Sequence, residues 1–332
     1  MTPYAPPYTI TDKAVHLIAE ISEQIGNIHS ISELHSNPRL RHDSRLKTIQ
    51  ASLAIENNSL SLEQVTDIVN GRRVLGSPAE IQEVKNAYEA YEHLLTFDPY
   101  SISHMLKAHN ILMSDLVRES GMFRSGDVGI FAGKKLVHMA PPAAFVWEQI
   151  HSLLQWIQTS EAHPLIKSCV FHYEFEFIHP FADGNGRMGR MWQTLLLSKW
   201  KPLFAWLPVE SLIRERQEMY YSALRAADSA SDAAPFIEFM LEAILSALQE
   251  LNSISAQDSD QVSIQVKMIL DKLGKDTLSA NVLMGRLGLR HKATFRKNYL
   301  QPALDLGLVE MTVPDKPNSR NQKYRRAPSM GR

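Results

Sequence analysis

The segment from His179 to Arg190, His-Pro-Phe-Ala-Asp-Gly-Asn-Gly-Arg-Met-Gly-Arg, gathers several groups capable of chemistry into one short stretch. Glycine alternates with polar residues over Asp183-Gly-Asn-Gly-Arg187, directly before a helical pattern, so successive backbone amides can turn toward one point at a positive helix end. That is a cradle for an anion. Arg187 and Arg190 fall on neighbouring faces of the first turn, where both guanidiniums can offer forked hydrogen bonds to phosphate oxygens. Two arginines and several amides suit a polyphosphate better than a carboxylate. Asp183 is placed to hold magnesium, a hard cation that takes oxygen ligands from one or two carboxylates plus phosphates. His179 has the titration range to take a proton from an attacking hydroxyl at neutral pH. The plainer alternative is a helix-loop-helix turn in which the glycines serve conformation, His179 is a capped core residue and the arginines are solvated. For Gly-Asn-Gly alone, that alternative is the better reading.

The flanking patterns are helical. Leu165 to Phe177 leads into the loop, and Met188, Met191, Trp192, Leu195 and Leu196 give the stripe of a core helix after it. Upstream, Thr11 or Asp12 caps a helix carrying Val15, Ile18, Ile21 and Ile25. Arg45 to Ile55 forms another, stopped at Asn57-Asn58, residues that tolerate the left-handed conformation. Ser61-Leu-Glu-Gln64 predicts a capping box for a helix that Gly71 closes. Helices are also predicted over Pro78 to Leu95, Ile102 to Leu116, Phe145 to Gln158 and Pro235 to Leu251. Glycines at 126, 129 and 133, with Pro141-Pro142, break the helical period over Arg124 to Pro142 and predict a two-stranded flap. The polar stretch Asn252 to Asp260 reads as a linker. Beyond it, helices over Val262–Leu273, Ala280–Leu287 and Lys292–Leu306, then strands at Leu308–Val313 and around Gln322–Tyr324, give the layout of a winged helix. The expected fold is mainly α: a helical region over 1–97, a catalytic bundle with a small β-hairpin flap over 98–251, a linker at 252–261 and a winged-helix domain over 262–332.

Bulk composition sets limits on partners. Among 332 residues, 35 basic side chains nearly cancel 36 acidic ones, so no global field selects polyanions or membranes. The charge is local: residues 286–332 hold eleven Lys or Arg against three Asp or Glu. A single cysteine, Cys169 in an apolar stretch, excludes an intramolecular disulfide framework and a cysteine-based zinc site. No stretch approaches the roughly 20 apolar residues needed to cross a bilayer, and the start lacks the pattern of a signal peptide. A cytoplasmic, soluble protein is expected.

The loop resembles the signature of the Fic family, His-Pro-Phe-x-[Asp/Glu]-Gly-Asn-Gly-Arg-x-x-Arg, at every fixed position. The resemblance implies transfer of AMP from ATP to a Ser, Thr or Tyr hydroxyl of a protein. It makes His179 the catalytic base and Asp183 the ligand of a magnesium ion bridging the α- and β-phosphates. It assigns Asn185 and the amides of Gly184 and Gly186 to the α-phosphate, Arg187 to the β-phosphate and Arg190 to the γ-phosphate, with Met188 and Gly189 between them in the nucleotide-binding stretch. Ile130, Phe131, Ala132 and Gly133 resemble the target-docking hairpin and nucleotide lid. Tyr220 and Tyr221 match a tyrosine pair lining the nucleobase side, with ordinary helix packing as the alternative. Where the family often has asparagine, this chain has Asp228. Upstream, Ser52-Leu-Ala-Ile-Glu56-Asn57-Asn58 resembles the inhibitory motif [Ser/Thr]-x-x-x-Glu-[Gly/Asn]-Asn, in which the glutamate pairs with the second loop arginine, here Arg190, and blocks the γ-phosphate. Some relatives use that glutamate to position water and remove AMP, which is the alternative enzymatic role. The protein target is not identified, and self-modification and a homodimer fit the resemblance. A DNA- or protein-binding role for the basic winged helix, around Arg290, Lys292, Arg296 and Lys297, is a reading of a different class.

Overall fold

Local signals set most helix ends. Thr11 Oγ1 accepts from the Ala14 amide at 3.1 Å and opens α1, Asp12–Asn27. The computed structural model describes residues 4–27, 38–132, 135–316 and 319–327. Helix α2 spans Pro38–Ile55 and stops where Asn57 takes a left-handed φ of 68°. Ser61 and Gln64 form the reciprocal capping box of α3, Leu62–Val69. Gly71 follows it at φ 74°. Ser77 caps α4, Pro78–Glu92, and Ser101 caps α5, Ile102–Leu112. The expected flap is an antiparallel hairpin of β1, Gly129–Ala132, and β2, Lys135–Met139, with Ile130 opposite His138. Gly133 lies outside the described residues.

Helices α6, Val146–Thr159, α7, Pro164–Ile178, and α8, Asn185–Trp200, follow in the expected order. Two helices that the sequence pattern does not mark come next: the short α9, Val209–Glu215, and α10, Gln217–Ala230. Helix α7 is buried on several sides because it divides two apolar clusters. Its Leu165, Ile166, Cys169 and Val170 join Ile21, Phe236 and Ile244 on one side. Phe171, Phe175 and Ile178 join Leu46, Tyr91 and Met105 on the other. The predicted stripe on α8, from Met188 to Leu196, packs into that second cluster. The loop between α7 and α8 is thus carried by two helices with little room to move, the arrangement that fixes side chains for chemistry.

Compact units divide at Leu251 and Asn252. The polar stretch expected as a linker is nevertheless helical, inside α11, Ala234–Leu273. Polar side chains forecast exposure; they do not forecast loss of helical backbone, which bonds to itself. In the second unit, β3, Leu278–Ser279, precedes α12, Ala280–Arg286. A helical turn α13, Lys292–Phe295, then passes through a π turn, Arg296–Leu300, into α14, Gln301–Asp305. Strands β4, Val309–Met311, and β5, Lys323–Arg326, complete an antiparallel sheet of order β3-β5-β4. Its first strand was not anticipated, since two residues leave no periodicity to read. Ile269, Leu273, Leu283, Phe295 and Tyr324 form this unit's own core. Among the described residues no helix is long and apolar enough to cross a membrane.

Candidate active site

Helix α7 ends on His179, which adopts φ 50° and ψ 60° while its amide donates to Phe175 O at 3.0 Å. Such a conformation costs a non-glycine residue on the order of 1 kcal/mol and persists where neighbours enforce it. Arg124, 3% exposed, is the enforcer. Its Nε donates to His179 O at 2.8 Å, Nη1 to Gly126 O at 2.8 Å, and Nη2 to Ile178 O at 3.3 Å and to Pro141 O. Its own amide donates to Pro180 O at 2.9 Å. One guanidinium therefore staples the loop to both feet of the hairpin. The imidazole of His179 has Nδ1 3.3 Å from Glu176 O, a contact that needs the proton on Nδ1 and leaves Nε2 as the acceptor. Burial lowers its pKa to about 4; the Glu176 carbonyl opposes this, and the positive charges of His138 and Arg124 reinforce it. His179 is neutral at pH 7.

Phe181 anchors the next step of the loop, stacked on His109 with centroids 3.7 Å apart. Asn185 closes it: its Oδ1 accepts from the Phe181 amide and its Nδ2 donates to Phe181 O, each at 2.9 Å. The structure thus gives Asn185 a loop-closing role, with both side-chain groups occupied. His109 Nδ1 accepts from the Gly121 amide at 2.9 Å, so its Nε2 carries the proton and donates to Asp183 O at 3.0 Å. The Asp183 carboxylate itself is 61% exposed, with Oδ1 accepting from the Gly184 amide at 2.6 Å. Gly184 caps α8 at φ 83°, and a Cβ there would lie 2.6 Å from Met113 Sδ, so both conformation and space require glycine.

Both arginines are engaged by acids from the N-terminal helices. Arg187 Nη1 donates to Glu83 Oε1 at 3.0 Å, and Glu83 Oε2 accepts from Asn58 Nδ2 at 2.7 Å. Arg190, 2% exposed, donates from Nη2 to Glu56 Oε1 at 2.8 Å and to Ser52 O at 3.0 Å, and from Nε to Ser52 Oγ at 3.1 Å. Burial disfavours its charge, yet Glu56 and the neighbouring Tyr220 and Glu176 hold its pKa above the ordinary range. Solvated arginines, the plainer alternative, are not what the fold contains. A methyl group built on Gly186 would overlap Glu56 Oε1, which puts that carboxylate against the first turn of α8, where an incoming anion would sit. Met188 and Gly189 are buried in the same helix. A Cβ on Gly189 would lie 3.0 Å from Glu176 Oε1, a buried oxygen with no hydrogen-bond partner among the described residues.

The tyrosine pair divides. Tyr220, 2% exposed, packs beside Phe236 and Phe239 with its hydroxyl 3.1 Å from His172 Nε2. Tyr221 Oη lies 3.4 Å from Ile55 O, a carbonyl that also accepts from Gln217 Nε2 at 2.9 Å. Helix α10 thereby satisfies the open end of α2, one residue before Glu56. Ile130, Phe131 and Ala132 form β1. Sequence reasoning missed His109, Arg124, Glu83 and His138; Arg124 and His138, near the glycines of the flap, leave a faint local hint, and His109 and Glu83, inside helices, leave none.

Comparison with known proteins settles the family. A Fic/DOC family model matches residues 99–197, and a model for the C-terminal domain of Filamentation induced by cAMP protein Fic-like matches 264–327. A crystal structure of a Fic family protein from Desulfovibrio desulfuricans G20 is 54% identical, covers 99% of this chain and 100% of its own, and aligns with a TM-score of 0.74. The chain belongs to the Fic family. Protein adenylyltransferase fic-1 of Caenorhabditis elegans is 25% identical over 76% of this chain and 49% of its own length, and protein adenylyltransferase Fic of Drosophila mojavensis is 24% identical over 68% and 45%. The chain spans about half the length of these curated relatives. A Fic-1 structure from C. elegans, 22% identical with a TM-score of 0.58 over 74% of this chain and 72% of that one, shares the Fic fold.

Proposed function

We propose that this Fic protein transfers the AMP moiety of ATP to a hydroxyl of a protein, and that Glu56 holds the reaction back. The carrying observation is the pairing of a neutral His179, whose Nε2 is free of its own proton, with a helix-end cradle in which a glutamate stands at the anion position. His179 Nε2 takes the proton of the acceptor hydroxyl, whose oxygen bonds to the α-phosphorus as the bond to pyrophosphate breaks. The α8 amides and the guanidiniums of Arg187 and Arg190 stabilise the phosphate charge once Glu56 and Glu83 give way. Among the described residues no group of three His, Cys, Asp or Glu side chains could hold a metal alone. The exposed Asp183 carboxylate suits a magnesium ion shared with phosphate oxygens, which supplies charge neutralisation when bound.

The names of the relatives support adenylyl transfer. Incubation with magnesium, ATP labelled at the α-phosphate and cell lysate tests it, and self-modification is read in the same gel. Label retained on protein with α-labelled but not γ-labelled ATP is the expected outcome; label from the γ-phosphate alone refutes it. The one-third exposed Glu56 carboxylate facing the cradle also favours a second reading, water-mediated AMP removal, tested by offering pre-modified protein. The C-terminal unit, with exposed Arg290, His291, Lys292 and Lys297 at one helix start, is proposed to bind duplex DNA, read as a mobility shift that weakens with salt.

A further inference from the structure

His138 lies on β2 with its side chain 12% exposed and its ring 4.8 Å from that of Phe177. Its Nε2 is 2.9 Å from Phe177 O, and its Nδ1 is 3.3 Å from Asp228 Oδ2. Phe177 O belongs to the last turn of α7, whose carbonyls have no partner within the helix. Asp228 Oδ1 meanwhile accepts from Tyr173 Oη at 2.9 Å. Both ring nitrogens therefore face acceptors. A neutral imidazole carries one N–H and one lone pair, so it satisfies one of these oxygens and turns a lone pair on the other. The imidazolium satisfies both.

Phe177 precedes His179 by two residues, and Arg124 ties Gly126 and Pro141, at the two feet of the hairpin, to the backbone of His179 and Ile178. We propose that protonated His138 is a positioning residue: a latch that seats the hairpin against the end of α7, with Asp228 as its counter-ion. Asp228 faces it from α10, and Glu176 and His179 face it from the end of α7; Tyr173 reaches it only through Asp228. The Asp228 contact raises the His138 pKa, burial opposes, and the Phe177 carbonyl and the Asp228 and Glu176 charges support the raised value. When charged, His138 in turn helps to keep His179 neutral. The effect of the latch on transfer rests on the function proposed above; the latch itself does not.

Imidazole nitrogen NMR titration of the full chain tests this, together with amide-exchange protection factors over residues 129–139 for wild type, Asp228→Asn and His138→Gln. In wild type, His138 should carry both protons at pH 6.5 and titrate above it, with Asp228→Asn lowering that midpoint. Hairpin protection should fall severalfold across the same interval, and His138→Gln should show low protection with no such step. In a Glu56→Gly background, KM for the protein acceptor should rise over that interval while kcat changes little. A neutral His138 at pH 6.5, a midpoint that Asp228→Asn leaves unmoved, or protection that ignores the titration overturns the latch. A titrating latch in a chain that transfers no AMP supports the latch and counts against adenylyl transfer.

Discussion

Replacing Gly186 with alanine puts a methyl group where Glu56 Oε1 now lies, and the magnitude of the outcome follows from the contact. The carboxylate must withdraw by about 1 Å to reach ordinary contact, which stretches the 2.8 Å ion pair with Arg190 past hydrogen-bond length. A charge-assisted bond of this kind contributes about 1.5–3 kcal/mol, and the 34% exposure of Glu56 lets solvent screen part of it, leaving about 1–2 kcal/mol. Alanine in the first turn of α8 returns about 0.5–1 kcal/mol of helix propensity. Gly186→Ala should therefore be nearly neutral or mildly destabilising in wild type, and stabilising by up to about 0.5–1 kcal/mol in a Glu56→Ala background, where only Arg190 Nη1, 3.1 Å from the methyl position, has to give by a few tenths of an ångström. Urea unfolding of the four proteins gives the coupling directly, expected at about 1–2 kcal/mol. Additive effects would mean that Glu56 does not rest against the cradle, and the structural basis of the brake would fall with it.

Gly184→Ala should cost about 2–3 kcal/mol, because it combines backbone strain at φ 83° with overlap on Met113, and Met113→Ala should recover only the packing share in denaturant melts. Arg124→Gln strands the carbonyls of His179, Ile178 and Gly126; a loss of about 3 kcal/mol with raised amide exchange in the hairpin is expected, and normal protection there refutes the staple. Stability should stay nearly level from pH 7 to about 4.5 and then fall steeply. His109, His172 and His179 have folded pKa values near 4, 3 and 4, below 6.5, so the unfolded chain takes up those protons first as pH falls. Glu174 and Glu176, raised to about 7, take up protons in the folded state between 7 and 4.5 and offset most of that loss until their unfolded counterparts are protonated too. Urea midpoints across this range check it, and a steep loss starting at pH 6.5 contradicts it.

Where a local rule decides, the sequence was readable. The Ser61–Gln64 capping box, the left-handed Asn57 and the core stripe of α8 all depend on residues within one or two turns. The pairing of Glu56 with Arg190 joins residues far apart in sequence and came from the motif resemblance rather than from any local pattern. Glu83 on Arg187 has no such motif, and on α4 it looks like one more solvated acid until the fold brings it to the loop. Likewise His109 sits in an ordinary amphipathic helix; only the neighbouring Phe181 ring and Asp183 carbonyl give it a purpose. The expected boundary near residue 252 matches the division between the compact units, while the helical backbone that runs through it was not legible, because polar composition does not report backbone state.

Intact mass of the full chain after incubation with magnesium and ATP, for wild type, Glu56→Gly and Glu56→Gly/His179→Ala, tests the proposed chemistry most directly. Addition of AMP in Glu56→Gly alone, on the chain or on protein from added lysate, is the expected result. Equal addition in wild type and Glu56→Gly contradicts the brake, and addition that survives His179→Ala contradicts the base.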